Sequence, residues 1–350
     1  MSDLRLSLPD VLRATGGELR GELDREIGLV STDSRESLEG ALFVALSGER
    51  FDGHDFVLRA QEAGAVAALV ERFVPGCKLA QIAVPSTVEG LGRLARYQRG
   101  RFSGKVAALT GSVGKTTTRS MLASVLAQVC STHQPRKNFN NHIGVPLTLL
   151  SLREDHQAAV LELGCSDFGE IRYLTEIVEP DLGLVTNVGA AHLEKLGDLE
   201  GVARAKGELF LAMKRGGVCV VNLDDPRVAS MPRSPETLRL TYGTAQGADV
   251  RLVSRAPDKA AQRLELELMG QMTQVNLALA GRHNAVDALA AAAAAMALGV
   301  GEEAIRSGLE AARAAPGRLS LRQGRGGCTV IDDTYNANPS SMSASLAAAD

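Results

Sequence analysis

The hydrophobic pattern falls into short apolar runs separated by helical spacings. From Leu42 the run LFVAL reads as a buried strand, followed by a polar loop, SGERFDGHD, and a helical pattern from Phe56 to Ala63. Strand-like runs follow at 66–70 and near 82–84, so the first hundred residues predict a small α/β unit. The stretch RYQRGRFSGK (96–105) is polar, basic and punctuated by glycine, and it is expected to mark a boundary. Beyond it come a strand at 106–110, a glycine-rich turn, and a helix whose Met121, Leu122, Val125, Leu126 and Val129 keep three-and-four spacing. Further buried-type strands at 159–163, 182–186 and 218–222 alternate with helical patterns, as in a parallel sheet. An alanine-rich helix is expected from about Asn284 to Leu298, and RAAPGRLS (313–320) reads as a second linker. After it the pattern gives one strand, CTVIDDTYN, and a helix starting near Ser340, too little to bury a core. The expected organisation is therefore α/β throughout, with domains at 1–100, 101–314 and 315–350, the last incomplete. No internal repeat is evident.

Composition narrows the function. Lys and Arg total 38 against 41 Asp and Glu, and the net charge of −3 gives no general attraction for nucleic acid or anionic lipid. Any anionic ligand must be met by a local site. Aromatic residues make up 3% with no Trp, too few for single-strand stacking platforms or an aromatic-rich all-β fold. Cysteines 77, 130, 165, 219 and 328 are scattered with no CxxC pair, which argues against a disulfide framework and a structural zinc site and for a reducing compartment. The start, MSDLRLSLPD, lacks the basic and apolar regions of a signal peptide. The longest apolar run, 288–298, is well short of the ~20 residues that cross a bilayer. A soluble cytoplasmic protein without membrane insertion is expected.

The strongest chemical signal is TGSVGKTTT at 110–118, with a strand before it and a helix after it. Backbone N–H groups at such a turn form an anion nest, Lys115 supplies a point charge for the outer phosphates, and Thr116 offers a hydroxyl to Mg²⁺. Leu109 stands where the full phosphate-loop pattern has its first glycine. An ordinary glycine turn with a solvated lysine is the competing reading, and the order of strand, turn, GKT and helix favours phosphate.

Five other places carry weight. Glu162 ends an apolar strand, where parallel sheets face their ligand crevice, so it suits Mg²⁺ as well as a helix cap. His192, in NVGAAHLE, also follows a strand, and by itself a loop histidine is more often structural. Lys206 sits within the apolar stripe Val202, Leu209, Phe210 and Met213. A lysine there must snorkel, find an anion or lose its charge, and an unprotonated amine is what CO₂ needs to form a carbamate. Finally, GRHNAVDALA (281–290) suits close packing with Asn284 as a helix cap, and DDTYNANP (332–339) puts two carboxylates past a strand.

Together these residues resemble the Mur ligases, the ATP-dependent amide-forming enzymes of peptidoglycan stem synthesis. The resemblance spans nearly the whole chain: STDSR (31–35), GALFVALSGERFDGH, TGSVGKTTT, the ELG glutamate, the NVGAAHLE histidine, the ARAKGE lysine, GRHN, PGR (316–318) and DDTYNANP, in that order. Within the family, KNFNNHIGVPLTLL (137–150) and DDTYNANPSSM are similar to the member that adds D-alanyl-D-alanine to UDP-N-acetylmuramoyl-tripeptide. The member that adds the third stem residue is the alternative, and an ATP-binding regulatory protein without ligase activity is the alternative from another class.

The resemblance implies three domains: one for the UDP end of the substrate, one for MgATP, and a Rossmann-like third that closes over the cleft. It implies Gly111, Gly114, Lys115, Thr116 and Thr117 at the ATP phosphates, with Thr116 and Glu162 serving Mg²⁺. It places a second Mg²⁺ between His192 and carbamylated Lys206, and makes Lys115, Lys206 and His192 the catalytic set. Asn284 is implied at the adenine, Arg318 at the phosphates and Asp333 at the ribose. Ser31, Asp33, Ser34, Arg35, Asn140 and Asn141 are implied for the UDP-linked substrate, Arg35 as a direct charge contact. A monomer without nucleic-acid partners is expected, and residues 1–350 alone are expected to bind substrate without ligating, because the third domain would be unfinished.

Overall fold

The computed structural model describes residues 4–48, 51–135, 138–258, 261–318, 320–335, 342 and 346. The chain divides into two compact units, one of residues 1–103 with 139–156 and one of 104–138 with 157–350.

The first unit opens with the helix Leu8–Thr15, begun by a reciprocal cap: the Asp10 amide donates to Ser7 Oγ at 3.2 Å and the Ser7 amide to Asp10 Oδ2 at 3.1 Å. Its five-stranded sheet runs in the order Glu18–Arg20, Ala80–Ala83, Ala67–Val70, Ala41–Val44, Leu29–Ser31, parallel except for the Glu18–Arg20 edge. The helix Thr87–Arg101 runs through most of the stretch read from sequence as a boundary, with Leu91, Leu94 and Ala95 buried. Arg99 is buried too, its guanidinium donating to the Phe102 carbonyl at 3.0 Å, so the basic residues there finish a helix, and the two units divide just after it at 103/104, within the stretch read as a boundary. The helix Gly144–Leu150 packs against Thr87–Arg101, so residues 139–156, counted from sequence within 101–314, belong spatially with the first unit.

The second unit is built on nine described strands in the order Gln271–Leu277, Ala261–Leu268, Val250–Asp258, Leu238–Gly243, Val218–Asn222, Leu182–Val185, Lys105–Thr110, Ala158–Glu162, Thr132–His133. The six from Leu238–Gly243 to Thr132–His133 pair in parallel, as the buried runs predict. Lys105–Thr110 lies between Ala158–Glu162 and Leu182–Val185, with chain crossovers leaving to either side. That switch in direction opens a crevice at the carboxyl ends of these strands. Helix Lys115–Leu126 stops before Val129, which is 56% exposed rather than part of the buried face. The alanine-rich helix is Arg282–Ala297, capped by Gly281 at φ 92°, not by the Asn284 side chain. Small alanine side chains let it lie against Lys115–Leu126 and the sheet. Ser320–Gln323 and Thr329–Asp332 form an antiparallel pair, and the helix expected from Ser340 lies outside the described residues. No helix among the described residues is long and apolar enough to cross a membrane.

Candidate functional site

The glycine-rich turn 111–114 joins the central strand to helix Lys115–Leu126, and both its glycines are needed for shape and for space. Gly111 has φ 148° and Gly114 φ 85°, and a Cβ would overlap the Thr186 side chain at the first and the Asp287 carboxylate at the second. The next strand's end braces the turn. The Val113 amide donates to Asn187 Oδ1 and Asn187 Nδ2 donates back to the Val113 carbonyl, both at 3.0 Å. Thr186 Oγ1 donates to that same carbonyl at 2.6 Å, and Ser112 Oγ exchanges hydrogen bonds with Gly189. The loop is thereby preorganised, with helix-start amides available to an anion.

Lys115 heads the helix, its Nζ donating to the Gly111 carbonyl at 2.6 Å. Burial first and then the nearby Lys206 ammonium lower its pKa to about 8. Thr116 Oγ1 donates to Glu162 Oε2 at 3.2 Å. Glu162 is only 1% exposed, and Arg119 Nε lies 3.2 Å from its Oε1. The pair is close but misaligned, so both atoms are buried without a hydrogen bond. An orphaned carboxylate oxygen beside a threonine hydroxyl, under an anion nest, fits a phosphate-bound Mg²⁺, which takes one or two protein oxygens and fills its shell with phosphate and water. No group of three or more His, Cys, Asp or Glu that could hold a metal occurs among the described residues.

Lys206, on helix Leu199–Leu211, is 3% exposed among buried Val202, Leu209, Phe210 and Met213. Burial lowers its pKa, and the Cys165 thiol opposes the shift. An ammonium cannot ligate a metal, and burial shifts Lys206 in the direction of the neutral amine, the form that can take up CO₂. His192 is exposed, with φ 57°, at the start of the short helix Leu193–Leu196. No hydrogen bond or ion pair joins it to Lys206 or Glu162 among the described residues.

Asn284 is 4% exposed, and its Nδ2 donates to the Ala280 carbonyl at 2.6 Å. The Arg318 guanidinium lies 4.3 Å over the Tyr335 ring and acts electrostatically on Lys115, Arg119 and Asp287, so it belongs to the phosphate-loop neighbourhood. Asp333 is half-buried and acts on His283. Thr117 is half-buried on the first turn of its helix.

In the first unit, Ser31 Oγ accepts the Asp33 amide at 3.1 Å, and Ser34 is buried. Arg35 grips Asp33 through Nε at 2.8 Å and Nη2 at 2.6 Å, which holds the carboxyl well below its usual range. That surface pair is the alternative to a direct charge contact with substrate. Asn141 Oδ1 accepts the amides of Ile143 and Gly144, starting helix Gly144–Leu150, and Asn140 lies beside it, half-buried. All six residues expected at the UDP-linked substrate thus fall in one unit, and the nucleotide and metal candidates fall in the other.

The sequence reading misses Asp287, Asn187 and Arg119. Asp287 is 7% exposed, accepts from Thr118 Oγ1 at 3.2 Å, and is pushed up to about 7 by burial. Its only sequence signal is an acid within a run of alanines.

Comparison with known proteins gives two family matches: "Mur ligase middle domain" over residues 109–295 and "Mur ligase family, catalytic domain" over residues 26–99. UDP-N-acetylmuramoyl-tripeptide–D-alanyl-D-alanine ligase of Escherichia coli (strain K12) is 40% identical over 342 residues, covering 97% of this chain and 74% of that protein. A crystal structure of MurF from Acinetobacter baumannii superposes with a TM-score of 0.93 at 39% identity, covering 98% of this chain and 76% of the other. A MurF ligase from Thermotoga maritima in complex with ADP gives 0.82 at 32% identity, covering 91% of this chain and 74% of the other.

Proposed function

The chain belongs to the Mur ligase family, and on that premise we propose how its residues divide the work. It is an ATP-dependent ligase that adds D-alanyl-D-alanine to UDP-N-acetylmuramoyl-tripeptide in peptidoglycan precursor synthesis. The observation that carries this reading is the braced Gly111–Gly114 turn, with Lys115, Thr116 and Glu162 at the carboxyl ends of the central strands, in a chain 40% identical to that ligase over 97% of its length.

A carboxylate is a poor electrophile, so the tripeptide carboxylate first takes the γ-phosphoryl group, releasing ADP. The dipeptide amine then attacks the acyl phosphate, loses its proton and expels inorganic phosphate. The helix-start amides and Lys115 hold the phosphates, and Lys115 faces charge that grows during transfer. Magnesium, when bound, neutralises phosphate charge, with Thr116 and Glu162 as its protein ligands. Arg318 supplies further positive charge, Thr117 extends the nest, and Asn284 and Asp333 take the adenine and ribose. In its neutral form Lys206 would add to CO₂ with loss of a proton, and the resulting carbamate and His192 would be the ligands offered to a second metal. Carbon-13 bicarbonate should give a carbamate resonance that disappears in Lys206→Ala; its absence from the active wild-type enzyme removes this role.

Residues 1–103 with 139–156 are read as the UDP-substrate unit, through Ser31, Asp33, Ser34, Arg35, Asn140 and Asn141. The enzyme is further read as a cytoplasmic monomer without a nucleic-acid partner, which the net charge of −3 supports. Phosphate release from ATP, measured on the natural protein, tests the activity. It should require UDP-N-acetylmuramoyl-tripeptide and D-alanyl-D-alanine together, and release indifferent to the dipeptide contradicts the assignment.

A further inference from the structure

The strand Ala261–Leu268 turns Gln262, Leu264, Leu266 and Leu268 inward, and all four are buried. Three positions of that register hold leucine, as an inward face should, and the fourth holds an amide at 2% exposure. A buried amide is costly unless its hydrogen bonds are made. Gln262 makes three: Nε2 donates to the Leu279 carbonyl at 2.6 Å and to the Gly281 carbonyl at 3.0 Å, and Oε1 accepts from Arg255 Nη1 at 3.2 Å. Arginine only donates and carbonyls only accept, so these partners fix which end of the amide is nitrogen.

The carbonyl between those two, Ala280, takes Asn284 Nδ2 at 2.6 Å. Three consecutive carbonyls of the turn before helix Arg282–Ala297 are thus pinned by side-chain amides, around Gly281 at φ 92°. Asn284 spends its nitrogen on the turn, which leaves its oxygen as the acceptor, the group that suits an exocyclic amine. The ring Nε2 of His283, on the first turn of that helix, is buried without a hydrogen-bond partner.

We propose that Gln262 is a positioning residue for the adenine of ATP: it touches no substrate, but by pinning the carbonyls of Leu279 and Gly281 it sets the backbone that aims Asn284. The inference rests on the reading that Asn284 meets the adenine. It locates part of the base selectivity on a hairpin strand that carries no expected site residue.

The test compares MgADP with tripolyphosphate, which has the phosphates but no base, as ligands of the wild-type chain and of Gln262→Leu and Gln262→Glu. Gln262→Leu should weaken MgADP about tenfold, the equivalent of roughly one net hydrogen bond, and leave tripolyphosphate affinity unchanged. Gln262→Glu is nearly isosteric and guards against misfolding. Its carboxylate keeps Arg255 on one oxygen and turns the other, with no hydrogen to donate, onto two carbonyls, so MgADP affinity should be poor while tripolyphosphate affinity is unchanged. Unchanged MgADP affinity in both variants, or equal loss of MgADP and tripolyphosphate, overturns the proposal. A wild-type chain that binds tripolyphosphate but shows no preference for ADP over GDP refutes the adenine reading instead.

Discussion

At the scale of single residues, the Gly111–Gly114 turn is legible in the sequence because backbone geometry dictates its letters. Only glycine fits φ 148° at Gly111 and φ 85° at Gly114, and the charge and hydroxyl needed at a helix start follow directly as Lys115 and Thr116. Asp287 is illegible for the opposite reason: its meaning lies in Thr118, 169 positions away, and in the space Gly114 leaves for it. Arg35 and Asn141 show a related limit, because the sequence names polar residues but not their partners, and the structure gives both of them intramolecular partners. The buried Asp287 carboxyl has a measurable signature. Its pKa is raised from the ordinary carboxylate range to about 7, so the folded state holds a proton that the unfolded chain has released. Stability should therefore fall as pH rises from about 4 to about 7 and level off above, and Asp287→Asn should lose that part of the slope and be the more stable protein at pH 8. Denaturant melts across pH 4 to 8 decide this; identical slopes in the two proteins contradict the burial account.

At the scale of elements, strands buried on both faces read plainly, because runs such as AVLEL and VCVVN have no competing period. The strands Ala261–Leu268 and Gln271–Leu277 alternate buried with exposed positions and are absent from the sequence reading, although RLELEL and TQVNL carry the two-residue period. Attention to long apolar runs passes over half-buried strands. The boundary read at 96–105 falls where the two units divide, at 103/104, but the polar run hides that residues 96–101 finish an amphipathic helix with their long basic side chains. The helix Leu8–Thr15 also escapes that reading, yet Ser7, a proline after it and Asp10 three positions on spell a capped start. Ser7→Ala should cost about 1 kcal/mol in a denaturant titration, the usual worth of such a cap. No change would mean that the helix is held by packing alone.

At the scale of the whole molecule, the central claim is that a nucleotide-binding sheet activates a carboxylate, and the family resemblance legible in the ordered motifs agrees with relatives matched over 97% and 98% of the chain. The most direct measurement follows oxygen. UDP-N-acetylmuramoyl-tripeptide labelled with oxygen-18 in its reacting carboxylate is incubated with ATP, Mg²⁺, D-alanyl-D-alanine and the enzyme, with Lys115→Ala as the control. Passage through an acyl phosphate moves one labelled oxygen into inorganic phosphate for each amide formed, and Lys115→Ala should form neither labelled phosphate nor product. Amide formation with unlabelled phosphate, or undiminished label transfer by Lys115→Ala, would contradict the account.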